Sequence, residues 1–117
     1  MTIQRLHVEK RFSEVAISGN LVHLAGQLAT DLSLDIKGQT QQTLDIIDQF
    51  LADAGTDKAH IMSVTIYLKD IEKDYAAFNE LWDTWVSDIQ ALPRTCVEAK
   101  MYKPEVLVEM TVVAAKP

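Results

Sequence analysis

Apolar and polar positions alternate on either side of Gly19-Asn20, with Val15-Ala16-Ile17-Ser18 before the pair and Leu21-Val22-His23-Leu24 after it. Two turn-forming residues between such runs predict a β-hairpin. A weaker alternation from Ile3 to Val8 predicts a preceding strand, and residues 28–38 read as a polar loop. From Thr40 to Ala54 the period lengthens: Leu44, Ile47, Leu51 and Ala54 recur at helical spacing, and Gly55 is the stop. Ile61 to Leu68 alternates again and is rich in β-branched residues, which predicts a strand with Met62, Val64, Ile66 and Leu68 on one face. Asp74 reads as the N-cap of a second helix whose apolar stripe is Tyr75, Phe78, Trp82, Trp85 and Val86. Leu92-Pro93 breaks that pattern. A strand from Thr95 to Met101, a tight connection at Tyr102-Lys103-Pro104-Glu105 and a strong strand from Val106 to Ala115 complete the chain.

The order β-β-β-α-β-α-β-β predicts an α+β fold: one mixed β-sheet, both helices packed on one face, and a hairpin at each end. The last strand is apolar on both parities, with Val106, Val108, Met110 and Val112 on one and Leu107 and Val113 on the other. Such a strand is expected to be covered on both faces. Two helices cover one face, so self-association is expected through the other. At 117 residues the chain fits one domain, residues 1–117.

Charge narrows the partners. A net charge of -6 repels a phosphate backbone, so nucleic acid is not expected. A small anionic substrate stays open, because one arginine can hold a carboxylate locally. Cys96 is the single cysteine, so no intrachain disulfide or CxxC pair exists. The start, Met1 to Arg5, lacks the apolar core of a signal peptide, and no apolar run is long enough to span a bilayer. A cytoplasmic location without a membrane partner is expected. Phosphate-binding, nucleophile-elbow and zinc-protease motifs are missing, and His7, His23 and His60 show no metal-ligand spacing. Neither a metal nor another cofactor is expected.

Candidate chemistry concentrates in Leu92-Pro93-Arg94-Thr95-Cys96-Val97-Glu98. Pro93 fixes its own φ and drives Leu92 out of helical geometry, so Arg94 opens its strand in a stiff setting. The two-residue period puts Arg94, Cys96 and Glu98 on one face. Pattern alone also fits a solvated Arg94 and a Cys96 that merely fills core space. Glu109 interrupts the most apolar stretch of the chain. If residues 102–105 make a four-residue turn, Glu109 opposes Glu98, lies diagonal to Cys96 and shares the face of Arg94. A one-residue slip reverses that face, and a solvent-facing Glu109 fits the pattern at least as well.

The segment Leu92 to Glu98, with Val108-Glu109 and a small-apolar tail, strongly resembles the C-terminal signature of the YjgF/RidA family. Leu24-Ala25-Gly26-Gln27, Val64 to Asp70 and Tyr75 to Glu80 agree with that family in order and spacing. Arg11-Phe12-Ser13-Glu14 and Asn79 to Val86 resemble its YoaB-like branch. The resemblance implies a chorismate-mutase-like fold and a homotrimer with active sites in the clefts between subunits. It also implies cofactor-free hydrolysis of reactive 2-imino or enamine acids to 2-keto acids and ammonia, a form of metabolite damage control. By the same resemblance Arg94 grips the substrate carboxylate and Glu109 orients water and shuttles protons. Cys96 and Asn79 line the pocket, and Gly26 allows close approach of the ligand.

Two positions depart from RidA-type members. Phe12 stands where they carry a tyrosine and Ala25 where they carry a serine. Each change deletes a hydroxyl from the expected substrate-binding pocket, which bears on substrate identity and on turnover. Two other readings stand beside the deaminase: a non-catalytic trimer that binds small carboxylates or regulates a partner enzyme, and an endoribonuclease. The last is disfavoured by the missing basic-aromatic strip and histidine pair.

Overall fold

The computed structural model describes residues 2–117. Six strands form one sheet: β1 (Ile3–Val8), β2 (Ser13–Ser18), β3 (Leu21–Gln27), β4 (Ile61–Leu68), β5 (Arg94–Glu98) and β6 (Val108–Ala115). Helix α1 (Ile36–Asp53) follows β3, a short 3-10 turn (Lys58–His60) precedes β4, and α2 (Ile71–Trp85) links β4 to β5. The spatial order is β1-β2-β3-β6-β4-β5. The predicted N-terminal hairpin is present. Ser18 pairs with Leu21, and Gly19 takes φ +58°, a conformation that glycine adopts at little cost.

The C-terminal hairpin is not. β6 runs between β3 and β4, antiparallel to both, while β5 lies on the far edge of β4 and parallel to it. β4-α2-β5 is a crossover unit, which leaves β5 parallel to its predecessor. The chain then rounds the end of β4: Ala99 N donates to Leu68 O, and Lys69 N donates to Leu107 O, both at 3.0 Å. Strand β6 enters the middle of the sheet, where its apolar residues gain neighbours on both sides. The expected opposition of Glu109 and Glu98 is therefore absent. Glu109 pairs with Tyr67, which also pairs with Val97.

One sheet face and both helices enclose the core. Val15, Ile17, Val22, Leu24, Val64, Ile66, Leu68, Val108, Met110 and Val112 from the strands meet Leu44, Ile47 and Leu51 of α1 and Phe78, Trp82 and Trp85 of α2. In β4 the expected alternation breaks once. Met62 and Ser63 bulge opposite Val113, so Ile61 is buried and Met62 is 54% exposed.

Both helices start earlier than the pattern predicts. Asp35 caps α1 by accepting from Gly38 N, and its first buried residues after Ile36 are polar: Gln39, Thr40 and Thr43. Gln39 is fully buried. Its Nε2 donates to the carbonyls of Leu32, Leu34 and Glu105, and its Oε1 accepts from Leu107 N. One amide thus ties the loop before α1 to the loop before β6. In α2 the cap is Asp70, which accepts from Lys73 N at 3.1 Å. Asp74 lies one turn further in, where burial pushes its carboxyl above the usual range.

Candidate functional site

The predicted site residues fall into two groups on opposite faces of the sheet. Arg94 is level with Val64 and Cys96 with Ile66, so both project to the helix-covered face. Glu109 has the other parity: its neighbours Val108 and Met110 are in the core, and it stands with Tyr67 and Thr111 on the half-buried face. The shared face expected from a hairpin does not form. Within one copy Arg94 is also three residues along and two strands across from Glu109.

The first group gathers at the β5 edge against α2. The Arg94 guanidinium lies among three rings of α2, with its carbon 5.8, 6.0 and 5.2 Å from the centroids of Tyr75, Phe78 and Trp82. These faces favour a cation and hold its plane. Nη2 donates to Tyr75 Oη at 3.2 Å. Among the described residues Nη1 is buried without a hydrogen-bond partner, and so is Oδ1 of Asn79 one helical turn beyond Tyr75. A buried donor of this kind is costly unless something accepts from it. Half-buried Cys96 stands two residues on, and burial pushes its thiol up more than Arg94 pulls it down. It is a neutral thiol at neutral pH rather than a thiolate nucleophile.

The second group lines a cavity of about 740 Å³ that includes Phe12, Ala25, Gly26 and Glu109. A bulge shapes it: Leu24 pairs with Val112 and Gln27 with Met110, leaving Ala25 and Gly26 opposite Thr111 alone. The extra residue swings Gly26 against the Glu109 side chain. A Cβ on Gly26 would lie 3.0 Å from Glu109 Cδ and overlap Oε2. Glycine is favoured here by this close approach to Glu109 rather than by its φ. Gln27 steadies the wall by donating to Glu14 Oε1 at 3.2 Å and to Ala25 O at 3.0 Å. Burial pushes the Glu109 carboxyl above the ordinary carboxylate range.

Two residues escaped the sequence reading. Tyr75 belongs to the aromatic stripe, yet it is 43% exposed and accepts from Arg94. Its position at the solvent edge of the α2 stripe was the available signal. Tyr102 reads as a turn residue, but the chain path over β4 brings it to the Glu109 cavity.

Together these features define an α+β protein with one helix-covered sheet face and a cation and a carboxylate presented on opposite sides. Comparison with known proteins supplies the family. A family model described as Endoribonuclease L-PSP matches residues 2–116. A RutC family protein of Haemophilus ducreyi is 44% identical, covering 97% of this chain and 96% of its own. The RutC family protein YoaB of Escherichia coli is 39% identical, covering 98% of this chain and 99% of its own. Among solved structures, NMB1025 of Neisseria meningitidis, a member of the YjgF protein family, superposes with a TM-score of 0.95 at 37% identity, covering 100% of this chain and 97% of that one. An uncharacterized Pseudomonas aeruginosa protein superposes equally well, with a TM-score of 0.95 at 42% identity over 99% of this chain and 100% of that one. The chain belongs to the YjgF/RutC family, with YoaB among its relatives. No helix among the described residues is long and apolar enough to cross a membrane.

Proposed function

We propose that this chain is a homotrimeric cytoplasmic hydrolase that converts reactive 2-imino and enamine acids to 2-keto acids and ammonia without a cofactor. One observation carries the reading. A guanidinium whose Nη1 is buried and unpartnered among the described residues, and a cavity-lining carboxylate that burial raises above its ordinary range, lie on opposite faces of one copy. A cyclic assembly sets the Arg94 edge of one copy against the Glu109 face of the next, so each cleft gains both. The half-buried face with Thr65, Tyr67, Thr111 and Val113 supplies surface for that contact.

In such a cleft Arg94 grips the substrate carboxylate through its planar fork, with Asn79 Oδ1 available to an N–H of the substrate. Ionised Glu109 takes a proton from water as the water oxygen bonds to the C=N carbon. Glu109 returns that proton to the nitrogen of the tetrahedral adduct. Glu109 then relays the proton of the adduct's hydroxyl to that nitrogen as the C–N bond breaks, releasing ammonia and leaving the 2-keto acid. A carboxyl pushed upward by burial suits both halves of the transfer, because its pKa moves toward working pH. Cys96, a half-buried neutral thiol on the same face as Arg94, takes no covalent part. The net charge of -6 counts against RNA as substrate.

The test is a coupled assay in which a pyridoxal-phosphate serine or threonine dehydratase generates the imine. Keto-acid release that accelerates in proportion to added protein is the expected result. Keto-acid binding with no acceleration would replace the hydrolase with a small-carboxylate binder.

A further inference from the structure

We infer that the site selects 2-imino acids with bulky apolar side chains over small and acidic ones. The inference rests on the deaminase reading for the bond that is broken, but the selectivity itself resides in the cavity. Phe12, Ala25, Gly26 and Glu109 line the same recess of about 740 Å³, so a ligand reacting at Glu109 has its side chain there. That volume is far larger than a methyl group needs and is ordinary for a pocket that encloses a whole small ligand. Leu28, Ile46 and Phe50 add aliphatic and aromatic wall, Phe12 and Ala25 offer no hydroxyl, and Thr30, Gln49 and Tyr102 are the uncharged polar part of the lining beside Gln27.

The wall is stiff on the α1 side. The His7 ring stacks on Phe50 with centroids 4.7 Å apart, and His7 Nε2 is bonded to Asp53 Oδ2 at 2.8 Å. On the other side Phe12 is 53% exposed at the rim, an apolar ring that an apolar ligand would remove from water. The charged residues of the lining are Glu14 and Glu109, both carboxylates, while Gln27 is already engaged with Glu14. An acidic side chain would meet two like charges in this lining, while the Arg94 that the next copy brings is already engaged by the substrate's own carboxylate.

Two measurements test this. An amino-acid oxidase supplies the imines of leucine, phenylalanine, alanine and glutamate at matched flux, and keto-acid release is timed with and without the protein. Calorimetry measures binding of 4-methyl-2-oxopentanoate, pyruvate and 2-oxoglutarate, which requires no turnover. The expected result is a preference of at least about tenfold for the isobutyl over the methyl compound in both assays, with the acidic compound weakest. Phe12→Ala is expected to narrow the isobutyl-to-methyl ratio severalfold, and its rim position spares the fold. Equal or reversed affinities overturn the inference even if every imine is hydrolysed. A tenfold affinity preference without turnover upholds the selectivity and removes the hydrolase.

Discussion

Gly26 and Glu109 meet across the β3–β6 ladder so closely that a methyl group on the glycine would displace the carboxylate. The obstructing atoms belong mainly to the far end of a flexible side chain, so the conflict is resolved by moving Glu109 rather than by moving backbone. Gly26 therefore sets where the carboxylate stands.

Gly26→Ala is accordingly expected to separate activity from stability. Misplacing a proton-transferring group by about 1 Å can cost roughly a hundredfold in rate. The fold should lose no more than about 1 kcal/mol, in the range of an ordinary substitution. Turnover in the dehydratase-coupled assay and the thermal midpoint give the two readings. Full activity in the alanine variant would show that the position of Glu109 is immaterial.

Arg94→Lys is expected to lose substrate while keeping the fold. A lysine retains the charge but loses the planar fork that matches a carboxylate, the stacking against α2 and the Nη2 hydrogen bond to Tyr75. Loss of one charge-assisted hydrogen bond is worth about 1.5–3 kcal/mol, roughly ten- to hundredfold in affinity or rate. Keto-acid affinity by calorimetry reads this directly. An unchanged constant would remove Arg94 from the ligand contacts.

Because Arg94 and Glu109 of one copy face opposite ways, two inactive variants should restore each other. Random co-assembly of Arg94→Ala with Glu109→Gln gives each cleft about a one-in-four chance of receiving both intact residues, hence about a quarter of wild-type activity. Co-refolding an equimolar mixture and assaying it measures this, and sedimentation of the same sample reports whether it is trimeric. A mixture as inactive as either parent would argue that both residues act within one copy.

Much of this architecture was legible because local signals agreed with the global fold. The Gly19-Asn20 hairpin, the α1 stripe through Leu51 and the aromatic stripe of α2 follow directly from spacing. The true start of α1 was hidden because buried Gln39, Thr40 and Thr43 look like a solvated loop until the carbonyls and the amide that Gln39 bonds are in place. Choosing Asp74 over Asp70 as the cap of α2 is the same kind of error, since both precede apolar residues and only the Lys73 hydrogen bond decides. The largest miss was topological. Met101 and Val106 are close enough in sequence for a hairpin, and nothing local announces that the chain passes over the end of β4. That miss put Arg94 and Glu109 on one face. The family resemblance supplied the candidate site residues, whereas their division between two faces required the sheet order.

Glu109→Gln bears on both mechanism and stability. The Glu109 carboxyl is raised by burial, so over the interval from the ordinary carboxylate value up to its raised value the folded chain holds more protons than the unfolded one. Stability from this group is therefore full at acid pH and falls as pH rises through that interval. Glutamine has nothing to ionise. The variant should gain in thermal midpoint relative to wild type as pH goes from acid to neutral, and the gain should level off above the raised value. Turnover should move the other way. The proton-accepting form of Glu109 disappears as pH drops through its raised value, so wild-type rate falls on the acid side. The glutamine variant lacks the accepting oxygen at every pH, and the loss of such a group costs about 10²–10⁴ in rate. Binding of a 2-keto acid should survive or tighten, because a carboxylate near the ligand carboxylate has been neutralised. A catalytic Glu109 thus predicts three changes at once: a rate collapse, a retained or stronger product complex, and a pH-dependent stability gain. A small-carboxylate binder keeps the last two and has no rate to lose. A Glu109 with no part in the site changes neither rate nor affinity. Equal turnover in wild type and variant would end the assignment of Glu109 as the proton carrier, whatever the fate of Arg94.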